Sequence, residues 1–149
     1  MIDSYNRALL TALQRDARLS YSALAREVGL SQPAVAERVR RLEEAGVIVG
    51  YCAVISRSRV GLPITAFLRL TCTGDKFQAV STLAHQIPQV LECHHVTGED
   101  CFFVKLGVNS LETLERVVER FRAHGQAVVT IALSSVVENK PVAPNEDGI

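Results

Sequence analysis

The chain carries no net charge: 16 lysines and arginines stand against 16 aspartates and glutamates. The chain thus has no bulk basic footprint for nucleic acid, which weakens a pure counterion-release picture without removing it, because charge placed on one face matters more than the sum. No apolar run approaches the roughly 20 residues of a membrane span. The opening residues, Met1-Ile2-Asp3-Ser4-Tyr5-Asn6-Arg7, are polar and lack the apolar stretch of a signal peptide. A soluble, cytoplasmic protein with no membrane partner is expected. The four cysteines, Cys52, Cys72, Cys93 and Cys101, show no C-x-x-C spacing, which fits free thiols in a reducing compartment. No nucleophile elbow is present, so no catalytic residue is assigned. No cofactor is expected.

What the chain does have is 48% hydrophobic residues, ample for a core, and one stretch organised differently from the rest. Over residues 19–46 two short helical patterns meet at Gly29-Leu30-Ser31. Ser20 can cap the first, whose apolar stripe is Leu24, Ala25 and Val28. Gly29 falls just past the stripe, where a left-handed residue ends a helix at little cost. Ser31 can cap the second helix, and Pro33 is tolerated in its first turn because those N–H groups have no helical partner. Val35, Val39 and Leu42 mark the buried side. At roughly 100° per residue the free side carries Pro33, Glu37, Arg40 and Arg41. Arg38 lies at the edge of the buried side, placed for an internal ion pair. A helix, a glycine corner and a second helix with an arginine-bearing free face make a helix-turn-helix reader of duplex DNA. Residues 1–50 hold seven arginines against six acids, so the reading rests on local clustering.

The remainder divides cleanly. Asp3 can cap an earlier helix running to about Arg15, with Leu9, Leu10 and Leu13 inward. Val47 to Ile55 is β-branched and aromatic and reads as a strand linking two domains. Gly61 and Pro63 punctuate the chain before the second domain begins. From Ile64 to Cys72 the chain alternates, with Ala66, Leu68 and Leu70 on one face and Thr65, Phe67 and Arg69 on the other. Asp75 can cap a helix carrying Phe77, Val80, Leu83, Ala84 and Ile87. Strands are predicted over Val90–Thr97 and Cys101–Val108, joined at Gly98-Glu99-Asp100. Asn109 or Ser110 caps a helix with Leu111, Leu114, Val117, Val118 and Phe121 inward, and a last strand runs from Ala127 to Val137. The order β-α-β-β-α-β is the ferredoxin-like arrangement. One sheet face then stays open, carries Phe67 and Phe103, and calls for a homodimer partner. A twofold dimer would present two helix-turn-helix units to a near-palindromic site.

The wording of both halves is specific. Leu24-Ala25-Arg26-Glu27-Val28-Gly29-Leu30-Ser31, followed by Val35-Ala36-Glu37-Arg38-Val39-Arg40-Arg41-Leu42-Glu43-Glu44-Ala45-Gly46-Val47-Ile48, resembles the Lrp/AsnC (leucine-responsive/asparagine regulator) transcription factors. So do Val96-Thr97-Gly98-Glu99-Asp100-Cys101-Phe102, Lys105-Leu106, Gly125-Gln126 and Leu133-Ser134-Ser135-Val136-Val137-Glu138. The resemblance implies an α+β chain: a three-helix winged helix-turn-helix domain (1–50), a strand and linker (51–62) and a ferredoxin-like ligand-sensing and dimerisation domain (63–138); residues 139–149, with two prolines, two acids and little apolar surface, are expected as a flexible tail. It implies double-stranded DNA as partner and a dimer that assembles further, to a tetramer or octamer.

Recognition helices enter the groove N-terminus first, which selects Gln32, Pro33, Ala36, Glu37 and Arg40 for bases and Ser31 and Arg41 for phosphates. The resemblance also implies an amino-acid effector near the Gly98 hairpin, between neighbouring dimers, with Thr97, Gly98, Glu99, Asp100 and Thr130 around it. The hairpin's backbone amides would hold the carboxylate, and Glu99 or Asp100 the ammonium. Gly98-Glu99-Asp100 is equally the composition of an ordinary turn. Where many relatives carry threonines after Gly-Gln, this chain has Ala127-Val128-Val129, and Thr130 is the first hydroxyl. That departure counts against a polar amino-acid effector and leaves an apolar effector, an altered site or no effector open; an apolar amino acid is the expectation carried forward. Cys93, His94, His95 and Cys101 cluster in sequence, but alternation places His94 opposite Cys93 and His95, so no metal is assigned. Two other readings share the architecture: an enzyme similar to siroheme decarboxylases, with His94 and His95 facing a tetrapyrrole, and an effector-independent assembly module.

Overall fold

The structure, a computed structural model, describes residues 2–143. It divides into two compact units: residues 1–54 together with 137–149, and residues 55–136. No helix among the described residues is long and apolar enough to cross a membrane.

The first unit is three helices. In α1 (Ser4–Arg15) Asp3 caps the first turn, its carboxylate accepting from the Asn6 N–H at 2.8 Å. α2 (Tyr21–Val28) is capped by Ser20, which accepts from the Ala23 N–H, and is ended by Gly29 at φ 72°. α3 (Gln32–Glu44) starts from Ser31, whose hydroxyl accepts from the Ala34 N–H, with Pro33 in its first turn. Leu9, Ala12, Leu24, Ala25, Val35 and Val39 close a small core, flanked by Leu13, Leu19, Val28, Leu30 and Ile48. Each cap expected from the sequence in this unit is made, because capping is settled by the side chain and the next three residues alone.

Residues 47–55 correct the strand expectation. They form no strand, and no wing hairpin exists among the described residues of this unit. A strand needs a neighbour for its ladder, and the described residues offer none here. Val49 is left 93% exposed. The segment instead flanks a groove beside α1, lined by Leu10, Leu13, Ile48, Val49 and Val142 among others. The looseness expected of residues 139–149 is tempered at Val142, whose backbone N–H and C=O both bond the Gln14 amide at 2.8 and 3.0 Å. Residues 144–149 lie outside the described residues.

The second unit is a four-stranded antiparallel sheet with two helices. β1 (Ile64–Thr71), α4 (Phe77–Gln86), β2 (Val90–His95), β3 (Phe102–Val108), α5 (Leu111–Arg122) and β4 (Gln126–Ile131) follow in order, and the strands lie β2-β3-β1-β4. Ala66, Leu68 and Leu70 of β1 and Phe102, Val104 and Leu106 of β3 pack on one side with Val80, Ala84 and Ile87 of α4 and Leu114, Val117, Val118 and Phe121 of α5. Ser110, not Asn109, caps α5. Gly125 joins α5 to β4 because of space. A Cβ there would lie 2.2 Å from the Thr71 carbonyl oxygen, closer than any real contact allows.

Three local expectations fail. Asp75 does not cap α4; it sits inside a 3-10 turn, Gly74–Lys76, and accepts a hydrogen bond from the Thr73 hydroxyl. Leu111 is exposed, since it lies roughly 70° from the centre of the α5 stripe at 100° per residue. β4 ends at Ile131 rather than Val137. Ala132 makes one further bond to Thr65, and the register then reaches Pro63, which has no N–H to continue the ladder.

Candidate nucleic-acid interface and effector hairpin

α3 exposes the residues that the sequence selects. Ser31, Gln32, Pro33, Arg40 and Arg41 are exposed, and Ala36 and Glu37 half-buried, while Val35, Val39 and Leu42 face the core. Arg38 points inward, as its edge position predicts. Its guanidinium donates to Asp3 at 2.7 Å and Asn6 at 2.9 Å and lies 5.3 Å from the Tyr5 ring centre. It fastens α3 to the start of α1.

The free charges on α3 bind one another. Arg40 donates to Glu37 through Nε at 3.0 Å and through Nη2 at 2.8 and 2.9 Å. Its Nη1 donates to Glu44. Arg41 Nε donates to the same Glu37 at 2.8 Å. The Arg40 and Arg41 guanidiniums hold the Glu37 carboxyl down at about 2, so it stays ionised across the physiological range. The sequence places these side chains on one face; their i, i+3 and i, i+4 spacings were the available signal for the pairing.

At the second site Val96 N–H bonds the Cys101 carbonyl at 2.9 Å and closes the hairpin. Thr97, Gly98 (φ 116°) and Glu99 are exposed at its tip. Asp100 is already engaged: its carboxylate accepts from the Thr71 hydroxyl at 3.2 Å and lies 3.6 Å from Arg69 Nη1. The sequence reading missed both partners, although it placed Arg69 on the open face of β1. Thr130 stands apart. Thr71 pairs with Gln126, and Thr130 lies four residues further along β4, about 13 Å at the rise of a strand. Within one protomer the structure therefore joins Asp100 to Arg69 and Thr71, not to Thr130.

The run Ala127-Val128-Val129 is split by alternation. Ala127 and Val129 pack against the core, and only Val128 shares the open face. On that face the registers place His94, Phe103, Arg69 and Val128 in one row and Glu92, Lys105, Phe67 and Thr130 in the next. Lys105 donates to Glu92 at 3.0 Å, and this bond is the main reason the Glu92 carboxyl sits below the ordinary range. Phe67 and Phe103 remain 41% and 39% exposed.

Beside the hairpin the Cys101 thiol donates to the Cys72 carbonyl at 2.8 Å and accepts from the Cys72 N–H. Burial, then the Cys101 contact, pushes the Cys72 thiol up to about 11, which makes it a poor nucleophile. His95 packs with Phe77 and Phe102 at ring-centre distances of 4.9 and 5.3 Å. No group of three or more potential ligands capable of holding a metal occurs among the described residues.

A capped helix-turn-helix whose second helix shows water its arginines, carried on the same chain as a ferredoxin-like unit with one open sheet face, defines a two-part DNA-binding protein. Comparison with known proteins gives the family. A model of the AsnC-type helix-turn-helix domain matches residues 2–43, and one of the Lrp/AsnC ligand binding domain matches residues 65–142. The uncharacterized HTH-type transcriptional regulator YezC of Bacillus subtilis (strain 168) is 37% identical over 134 residues, 90% of this chain and 95% of YezC. The HTH-type transcriptional regulator LrpA of Mycobacterium tuberculosis is 35% identical over 147 residues, 96% of this chain and 97% of its own. Among solved structures, the feast or famine regulatory protein of M. tuberculosis complexed with L-methionine superposes with a TM-score of 0.89 at 32% identity, over 97% of this chain and 100% of that one. The chain belongs to the Lrp/AsnC family of helix-turn-helix transcriptional regulators.

Proposed function

We propose that this regulator works in the cytoplasm as a homodimer, built by apposing the open sheet faces and able to assemble further, and that it takes an apolar amino acid at the Gly98 hairpin. It reads duplex DNA with Gln32, Pro33, Ala36, Glu37 and Arg40, and holds phosphates with Ser31 and Arg41. The observation that carries this reading is the exposure of these residues on a capped α3 whose opposite side is core. A domain division after about residue 50, with sensing and assembly in 63–138, belongs to the same reading. A regulator is favoured over an enzyme because His94 pairs with Phe103 on the open face while His95 packs on Phe77 and Phe102, so the two imidazoles do not converge on one site.

Support for an apolar effector comes from two sources. A relative at 32% identity has been solved with L-methionine. Val128 offers methyl groups on the open face, where a buried polar side chain without a partner costs about 1–3 kcal/mol. Glu99, exposed at the hairpin tip, is the carboxylate placed to meet the ammonium, since Asp100 is shared with Arg69 and Thr71.

Duplexes selected from a random pool supply the test. Arg40→Ala should lose roughly ten- to hundredfold affinity for the selected site if the guanidinium reads guanine in a two-pronged contact. Equal loss on random DNA makes Arg40 a phosphate contact and refutes the base assignment. Titration calorimetry with methionine, leucine, asparagine and lysine tests the effector. Tighter binding of asparagine or lysine than of the apolar pair sinks the apolar assignment.

A further inference from the structure

We propose that Glu37 is a specificity-determining residue that acts through Arg40 and Arg41: it withholds their guanidiniums from phosphates and releases them only at a matching base pair. The inference rests on the reading of α3 as the DNA-contacting helix. Three of the guanidinium nitrogens of Arg40 are committed to carboxylates, two on Glu37 and one on Glu44. Arg41 shares Glu37. Two arginines and two glutamates therefore cancel, and Arg38, the remaining arginine of the helix, is turned inward to Asp3. With Glu43 also exposed on the helix, where it accepts from the Tyr51 hydroxyl, α3 offers DNA no net positive charge of its own.

A phosphate contact through Arg40 Nε or Nη2, or through Arg41 Nε, must first displace Glu37, and the displaced carboxylate is left facing a polyanion. On random DNA nothing compensates it. At a G·C pair the chemistry differs. Guanine presents two acceptors, N7 and O6, to the guanidinium, and the paired cytosine presents its N4 amine, a donor that a carboxylate can accept from. The Glu37–Arg40 couple thus finds a partner for each half at one base pair and at no bare phosphate. Discrimination arises by weakening the wrong complex as well as by strengthening the right one.

The test is Glu37→Gln in the full chain, which removes the charge and keeps the side-chain length on an exposed face. Affinity is measured across a salt series for a random-sequence duplex and for a site selected with the parent protein. Random-duplex affinity should rise about tenfold, and its log–log salt slope should steepen by about 0.9 for each phosphate contact released. The selected site should gain less, so the ratio between the two falls. In an Arg40→Ala, Arg41→Ala background the same substitution should leave the random-duplex slope unchanged. Unchanged random-duplex affinity and slope overturn the proposal. So does a loss confined to the selected site, which makes Glu37 a base reader alone. A gain that persists without the two arginines overturns it too, since the effect is then bulk charge. If the parent shows no salt-sensitive affinity for any duplex, the DNA reading of α3 falls first and takes this inference with it.

Discussion

The two units each leave one face open, and they do so in opposite ways. α3 offers water a polar face whose charges are already paired. The sheet offers a face whose one buried-stem cation, Lys105, is neutralised by Glu92, with Phe67, Phe103 and Val128 around it. A satisfied polar face is content in water and must be exchanged into a complex. An apolar face is not, because its area is worth roughly 25 cal/mol per Å² once covered. Under the proposed assembly the sheet face is held permanently by a second copy, while the α3 face associates and leaves. The same contrast separates the two halves of a regulator: one contact that defines the molecule and one that it must be able to give up.

The strongest way to break this comparison is Phe103→Glu. It places a carboxylate in the middle of the row His94, Phe103, Arg69 and Val128, where the proposed partner sheet would bury it at a cost of several kcal/mol. Light scattering should then report monomer mass, and operator affinity should collapse with it, since two half-sites are no longer engaged together. An unchanged mass means that copies meet elsewhere. The next largest effect is internal to the sensor unit. Gly125→Ala drives a methyl into the Thr71 carbonyl. The backbone has to move, and overpacking of this kind costs about 3 kcal/mol. Urea unfolding of the full chain should show the loss, and a midpoint matching the parent would mean the α5–β4 corner yields freely.

How much of this was legible in the sequence depends on the range of the forces involved. Asp3, Ser20, Gly29 and Ser31 act within one helical turn, and every one of them behaves as its position predicts. The alternation of β1 is legible for the same reason, and it assigns Phe67 and Arg69 to the open face. What fails depends on partners distant in sequence. Val47–Ile55 has the composition of a strand but no neighbour among the described residues. β4 stops where β1 runs into Pro63. The effector hairpin was legible as a hairpin, yet the pairing of Asp100 with Arg69 and Thr71 needs the register of β1 against β3. Of Ala127, Val128 and Val129 only Val128 reaches the open face, for a reason alternation already contained: neighbours on a strand cannot share a face.

The smallest expected effect sharpens the contrast from the side of α3. Asp3 both caps α1 and pairs with Arg38, and its carboxyl sits below the ordinary range, first because it accepts from the Asn6 N–H and also because Arg38 is near. A carboxylate lowered in this way contributes stability that is fully present above its unfolded value of 3.8 and is lost as pH falls through the folded value. Asp3→Asn keeps a good cap, since asparagine ranks with aspartate at that position, and removes only the charge facing Arg38. The side chain is nearly half exposed, so solvent screening limits the pair to under about 1 kcal/mol. At neutral pH the variant should melt a few degrees lower, and the gap to the parent should close as pH falls below 3.8, because the parent then loses the charge as well. A gap that stays constant into acid would show that the cap, not the ion pair, was damaged. Operator affinity at neutral pH should change little, since Arg38 is engaged by Asp3 and Asn6 within the unit, and a large loss there would return Arg38 to the reading face.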